Sequence, residues 1–167
     1  MATNSVTGMG NRQFAVDVAL LVIRLCVGFA MFYHGAQKLF GWFGGNGMEG
    51  FIGYVTSFKL PVLSGTVWAY MAAVTETFGG LALMVGLLAR LSAIPTIFTM
   101  IIAIIFVHGP NGYGIQNKGY EYNLAIIAMA AAILIAGPGL ISADAFIFRK
   151  GLWARGAQPL DNPANRV

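Results

Sequence analysis

Residues Arg24–Gly47 read RLCVGFAMFYHGAQKLFGWFGGNG. Most of the stretch is apolar or small and lacks the alternation of a strand, so it belongs to a helix inside a core or a membrane. It nevertheless carries an arginine at its start and His34, Gln37 and Lys38 near its end. Followed in both directions, the apolar run extends from Val16 to Phe40, which meets the ~17–25 residues that a helix needs to cross a bilayer. Val67–Ala89, Leu91–Val107 and Tyr122–Ala136 are further such runs; the last is marginal unless Glu121 or Gly137 is counted. Glycine and proline punctuate their ends, as in HGPNGYG and GPG.

Composition points the same way. Hydrophobic residues make up 57% of the 167 and charged residues only 10%, too little charge to cover a soluble domain of this size. The expectation is an all-α fold, an integral membrane four-helix bundle occupying residues 13–150. Residues 1–12 read as a disordered cytoplasmic tail and 151–167 as a second cytoplasmic tail. The first apolar run is longer than a signal h-region and lacks an A-x-A site, so it reads as a retained span. Pro95 falls where the first turn of the third helix is expected, after Ser92.

The net charge is +4, but the basic residues are scattered singly, which speaks against nucleic acid as a partner. They sort by loop instead. With both termini inside, Arg12, Arg90, Arg149, Lys150, Arg155 and Arg166 lie in the cytoplasm and Lys38, Lys59 and Lys118 outside, a bias that favours an N-in, C-in multi-pass membrane protein. MEGFIGYVTSFKLP carries Met48, Phe51, Ile52, Val55 and Phe58 at helical spacing, the pattern of a short amphipathic helix in the outer interface. SADAFIFRK fits either a second such helix, with Arg149 and Lys150 toward lipid headgroups, or a loop over the bundle.

Charges within a span normally pair or face protein. Arg24 shares a helix face with Gly28, Met31, Gly35 and Lys38, and Glu76 shares one with Ala69, Ala72, Ala73, Gly79 and Gly80. Small residues allow close helix approach, so an intramembrane ion pair between Arg24 and Glu76 is expected. His34 and His108 are the only histidines; each precedes glycine at the end of an odd-numbered span, in FYHG and FVHG. The repetition suggests two copies of a helical hairpin and puts both imidazoles at one depth. His34, Gln37 and Lys38 lie about one turn apart. Together with His108, Tyr113, Tyr120 and Glu121 they form a candidate set for a quinone-like headgroup, the alternative being an aromatic belt with interfacial His and Lys. No His/Asp/Glu cluster completes a metal site. FGGNG and GPNGYG lack the strand and the GK[ST] of a phosphate loop. Cys26, the sole cysteine, excludes an internal disulfide or a CxxC pair and reads as a small buried residue.

The motifs HGxxKLFGWFGGxG (from His34), ExxGGxxLxxGLxxR (Glu76–Arg90), HxPNGY (from His108) and GYEY (from Gly119), behind an Arg-bearing first helix, make the chain resemble the DoxX family of small bacterial membrane proteins. The likeness spans about Val18–Ala136. It implies a four-helix transmembrane protein. Some family members are described as a subunit of a thiosulfate:quinone oxidoreductase, others as membrane partners in oxidative or thiol stress responses. The matching positions Arg24, His34, Lys38, Glu76, His108, Tyr120 and Glu121 are candidates without assigned roles. The function expected is that of a membrane subunit of a redox system, linked to a quinone or a sulfur compound, working near the extracytoplasmic face with soluble or membrane redox partner proteins. The alternatives are a non-catalytic anchor that recruits soluble oxidative-stress enzymes and, third, a small transporter. A quinone is the candidate cofactor, the lipid bilayer the certain surrounding, and a homo-oligomer an open state.

Overall fold

A computed structural model describes residues 3–148, with side chains from Asn11 onward. These residues form helices and no strands. We number the helices α1 (Thr3–Leu39), α2 (Gly47–Ser57), α3 (Gly65–Val85), α4 (Ala89–Asn111), α5 (Glu121–Ala136) and α6 (Ala143–Ile147). Three of them, α1 from Asn11, α3 and α4, are long and apolar enough to cross a membrane. With 16 residues, α5 spans ~24 Å at 1.5 Å per residue, short of a ~30 Å hydrocarbon core. It completes the bundle by packing along α4 and α1.

The outside of the bundle is apolar. Phe14, Val18, Val22, Leu25 and Phe29 are exposed along α1, and Leu91, Ile94, Phe98, Ile101 and Ile105 along α4. Continuous stripes of that kind would be untenable in water and suit lipid tails. The interior holds Val27, Met31 and Leu83, together with Ala89, Ala93, Ile126, Ala130 and Ile133 where α4 meets α5. Alanines at that seam let two helices approach without a strong hydrophobic drive from lipid.

Several expectations change. Helix α1 begins at Thr3, so helix runs through most of the stretch read as a disordered tail; once a helix is nucleated, adding a residue costs little. Cys26 is exposed on the outer surface of α1 rather than buried. Pro95 lies in the helix interior, since α4 starts at Ala89; its ring removes the N–H that would bond the Leu91 carbonyl. The second tail, with Arg149, Lys150, Arg155 and Arg166, lies outside the described residues.

The pairing of Arg24 with Glu76 is also overturned. Helices α1 and α3 meet through glycines: a Cβ on Gly35 would collide with the backbone of Thr77, and one on Gly28 with the carbonyl of Gly80. That register sets Arg24 against Gly86. Ten residues separate Gly86 from Glu76, a rise of ~15 Å, beyond the reach of an arginine side chain. Glu76 pairs instead with Lys38, from the same face of α1.

Arg24 joins a polar staple at the Gly86 end of the bundle. It donates to the carbonyl of Ile141. Asp17 accepts from the backbone N–H of Leu140 at 2.9 Å. Asp144 accepts from the N–H groups of Leu88 (2.6 Å) and Ala89 (2.9 Å), capping α4 from a distant part of the chain. Arg90 donates to the Ile135 carbonyl at the C-terminal end of α5, where a cation offsets the helix dipole. The piece read as an amphipathic helix or a loop over the bundle is therefore a closure of the bundle end, with Asp144 buried.

Candidate functional site

The opposite end of the bundle is hollow. A cavity of about 380 Å³ lies between α1, α2, α3, α4 and α5, a size typical of small-molecule sites. Along α4 its wall runs from Pro95 to His108, about 20 Å of helix rise, so the cavity is elongated. Phe58, Trp68, Met71, Phe98 and Ile102 line it with apolar surface. His34, Lys38, Glu76, His108, Tyr122 and Asn123 supply polar groups, together with the hydroxyl-bearing Tyr54, Thr75 and Thr99.

Local backbone geometry brings these side chains together. Glu76 sits in a π-helical turn at Thr75–Gly79, and His108 ends another at Ile104–His108. Such turns are rare and concentrate at functional sites. The glycine contact at Gly35 holds α1 tightly against the first turn, which lets Lys38 donate to both carboxylate oxygens of Glu76. The Glu76 side chain is 3% exposed and that of Lys38 25%. The ammonium also stands 5.0 Å from the centre of the Phe51 ring, a cation–π contact contributed by α2.

Both imidazoles are oriented. His108 Nδ1 lies 2.8 Å from the carbonyl oxygen of Lys118, an acceptor only, so Nδ1 carries the proton. His34 Nδ1 lies 3.2 Å from Gln37 Oε1. Gln37 Nε2 donates to the Phe43 carbonyl, which fixes Oε1 as the acceptor and again puts the proton on Nδ1. The ring of His34 meets Tyr122 edge-on at 5.9 Å. Asn123, buried, donates to Met100 Sδ at 3.4 Å.

Of the residues singled out in the sequence, His34, Lys38, Glu76 and His108 line the cavity and Gln37 orients His34. Tyr113, Tyr120 and Glu121 do not line it. They brace the adjoining loop: Tyr113 and Tyr120 pack edge-on at 5.7 Å, and Glu121 accepts from the Ile115 N–H at 3.0 Å. Arg24 belongs to the staple at the other end. Asn123 and the α2 aromatics Phe51, Tyr54 and Phe58 went unrecognised as site residues. The helical spacing in α2 was the available signal, but it points equally to a lipid interface. No group of three or more His, Cys, Asp or Glu side chains suited to a metal occurs among the described residues.

Residues 19–109 match the model of the DoxX family. The chain is 29% identical to "Putative oxidoreductase CatD" of Bacillus subtilis (strain 168) over 83% of this chain and 92% of that one. It is 30% identical to "Inner membrane protein YqjF" of Escherichia coli (strain K12) over 80% of this chain and 95% of that one. A relative from Haemophilus influenzae, 25% identical over 78% of this chain and 83% of its own length, is described only as an uncharacterized protein. No solved structure matches. The family model, the inner-membrane relative and the lipid-suited helices agree: the chain is a bacterial membrane protein of the DoxX family.

Proposed function

We propose that this chain is the membrane subunit of a redox system and that its cavity receives a small amphipathic ligand of quinone type. The observation that carries the reading is the cavity itself: an elongated apolar trough with a half-buried Lys38–Glu76 pair and two oriented imidazoles. A ligand with a ring and an apolar tail matches that division, its tail along Phe98 and Ile102 and its ring among the polar groups. The relative described as an oxidoreductase adds support for redox work. The cavity end faces the extracytoplasmic side in this reading, with both termini inside, as the Lys/Arg distribution favours. The single cysteine excludes an internal dithiol as electron carrier, and in this reading a partner protein exchanges the electrons. The test is quinone binding by purified protein in detergent, wild type against His34→Ala and His108→Ala, with folding of each variant checked first. Saturable binding weakened in both variants supports the reading. Absence of binding in the wild type, or unchanged binding in both variants, rejects it and leaves the membrane-anchor role.

A further inference from the structure

The orientation of the two imidazoles assigns a preference to the cavity, resting on the reading of it as a quinone-type site. The geometry points to selective capture of the reduced, hydroxyl-bearing form of the ligand, a hydroquinone, over the dicarbonyl quinone.

The argument is one of donors and acceptors. Each Nδ1 already carries a proton committed to an oxygen, Lys118 O for His108 and Gln37 Oε1 for His34. A neutral imidazole has one N–H, so the second nitrogen, Nε2, is an acceptor. Neither Nε2 makes a hydrogen bond among the described residues, and neither is a sealed, unpartnered atom. Both rings line the cavity, so Nε2 is the nitrogen each has left for a ligand.

The other polar groups do not reverse this balance. The Lys38 ammonium is the strongest donor nearby, but it is engaged by both oxygens of Glu76 and by the face of Phe51. The Glu76 carboxylate only accepts. Asn123 directs one amide N–H at Met100 Sδ and keeps both a second N–H and an acceptor oxygen, so it favours neither form. The hydroxyls of Tyr54, Thr75, Thr99 and Tyr122 can donate or accept and so favour neither form. A hydroxyl ligand would find acceptors at both histidines; a carbonyl there would face a lone pair with a lone pair. The site also contains equal and opposite charges at Lys38 and Glu76, with no unpaired cation, which argues for an uncharged ligand over an anion.

A neutral hydrogen bond is a modest net gain, and a buried acceptor left unmet costs more than such a bond contributes. The preference predicts that the hydroquinone binds about tenfold tighter than the quinone. The experiment is calorimetric titration of the purified protein, anaerobically at pH 8, where imidazole is ordinarily neutral. The probes are a decyl-substituted benzohydroquinone, the matching benzoquinone and the hydroquinone's dimethyl ether, which keeps the shape and lacks the O–H donors. Tighter binding of the hydroquinone than of both others supports the inference, and the preference should shrink in His34→Phe and His108→Phe. Nitrogen NMR of histidine-labelled wild-type protein gives an independent reading: both Nε2 atoms should appear as the unprotonated nitrogen. Equal binding of the three probes, tighter binding of the quinone, or unprotonated Nδ1 atoms would overturn the preference while leaving the site a quinone-type one. No binding of any probe would remove the site reading along with it.

Discussion

Charge removal at Lys38 and Glu76 should not be symmetric. The Glu76 side chain is 3% exposed, whereas that of Lys38 is 25% exposed at the end of a flexible stem. Lys38→Met strands a carboxylate inside the bundle, and breaking a buried pair from one side typically costs about 3–5 kcal/mol. The neighbouring cavity of about 380 Å³ is large enough to admit water, so the lower end, about 3 kcal/mol, is expected. Glu76→Gln leaves an ammonium that can swing toward the open side, so about 1–2 kcal/mol should be lost. Removing both charges together leaves no stranded ion, and Lys38→Met/Glu76→Gln should be less damaging than Lys38→Met alone. The coupling from the cycle should exceed about 1 kcal/mol, against the ~0.5 kcal/mol within which independent sites add. Reversible unfolding in mixed micelles, followed by circular dichroism, measures all four proteins. Additivity of the two single changes would refute the pair. The same assay on Arg24→Gln and Glu76→Gln should give additive losses, because the helix register holds those positions ~15 Å apart.

Other consequences are direct. Gly35→Ala should cost about 1–3 kcal/mol by wedging α1 away from Thr77, whereas Gly53→Ala, where a Cβ meets nothing within 4 Å, should be tolerated; thermal unfolding in detergent compares them. Asp144→Ala leaves the N–H groups of Leu88 and Ala89 without their acceptor, so about 1–3 kcal/mol should be lost and protease cleavage between α3 and α4 should accelerate; unchanged cleavage would mean that the staple does not hold that turn. In a Cys26→Ser background, cysteines at exposed Glu49 and Asn117 should react with an impermeant maleimide in intact spheroplasts and one at Asn11 should not, as N-in topology requires; the reverse pattern would invert the protein.

How much the sequence disclosed depends on which forces set each feature. The helices were legible because apolar length and Gly/Pro punctuation are local properties. The meeting of α1 and α3 was legible as well, since Gly28, Gly35 and Gly80 mark their own faces. The partner of Glu76 was not. Two cations, Arg24 and Lys38, lie on one face of α1, and choosing between them requires the vertical offset of the helices. That offset is set by where Gly35 nests against the π-helical turn at Thr75–Gly79, and an extra residue in a turn leaves no mark in a hydropathy pattern. Pro95 misled for a related reason. A proline near a helix start suggests the first turn, but Asp144, 55 residues away in sequence, caps Ala89 and begins the helix earlier.

The two ends of the bundle differ in a way that bears on how a ligand could be handled. At the Gly86 end, backbone groups of two connections are tied to side chains of α1 and α6: Asp17 to Leu140, Arg24 to Ile141, and Asp144 to Leu88 and Ala89. These are buried, charge-assisted bonds that leave little freedom there. At the His34 end, α2 supplies one wall of the cavity with Phe51, Tyr54 and Phe58. It is joined to the spans by short segments with left-handed residues on both sides, Gly41, Phe43 and Gly47 before it and Lys59 and Val62 after it. Positive φ at Phe43, Lys59 and Val62 costs energy that a tighter packing must offset. The stapled end holds the helices in register, so that Lys38 stays opposite Glu76, and α2 is the wall past which a ligand is expected to enter. Tethering α2 to α3 by an engineered cysteine pair with Cβ atoms about 3.5–4.5 Å apart, in a Cys26→Ser background, tests that route; Thr56 and Gly65 themselves approach too closely for such a bridge. Ligand association should slow when the bond forms and recover on reduction, with stability at the Gly86 end unaffected. Equal association rates in both states would show that entry does not pass α2.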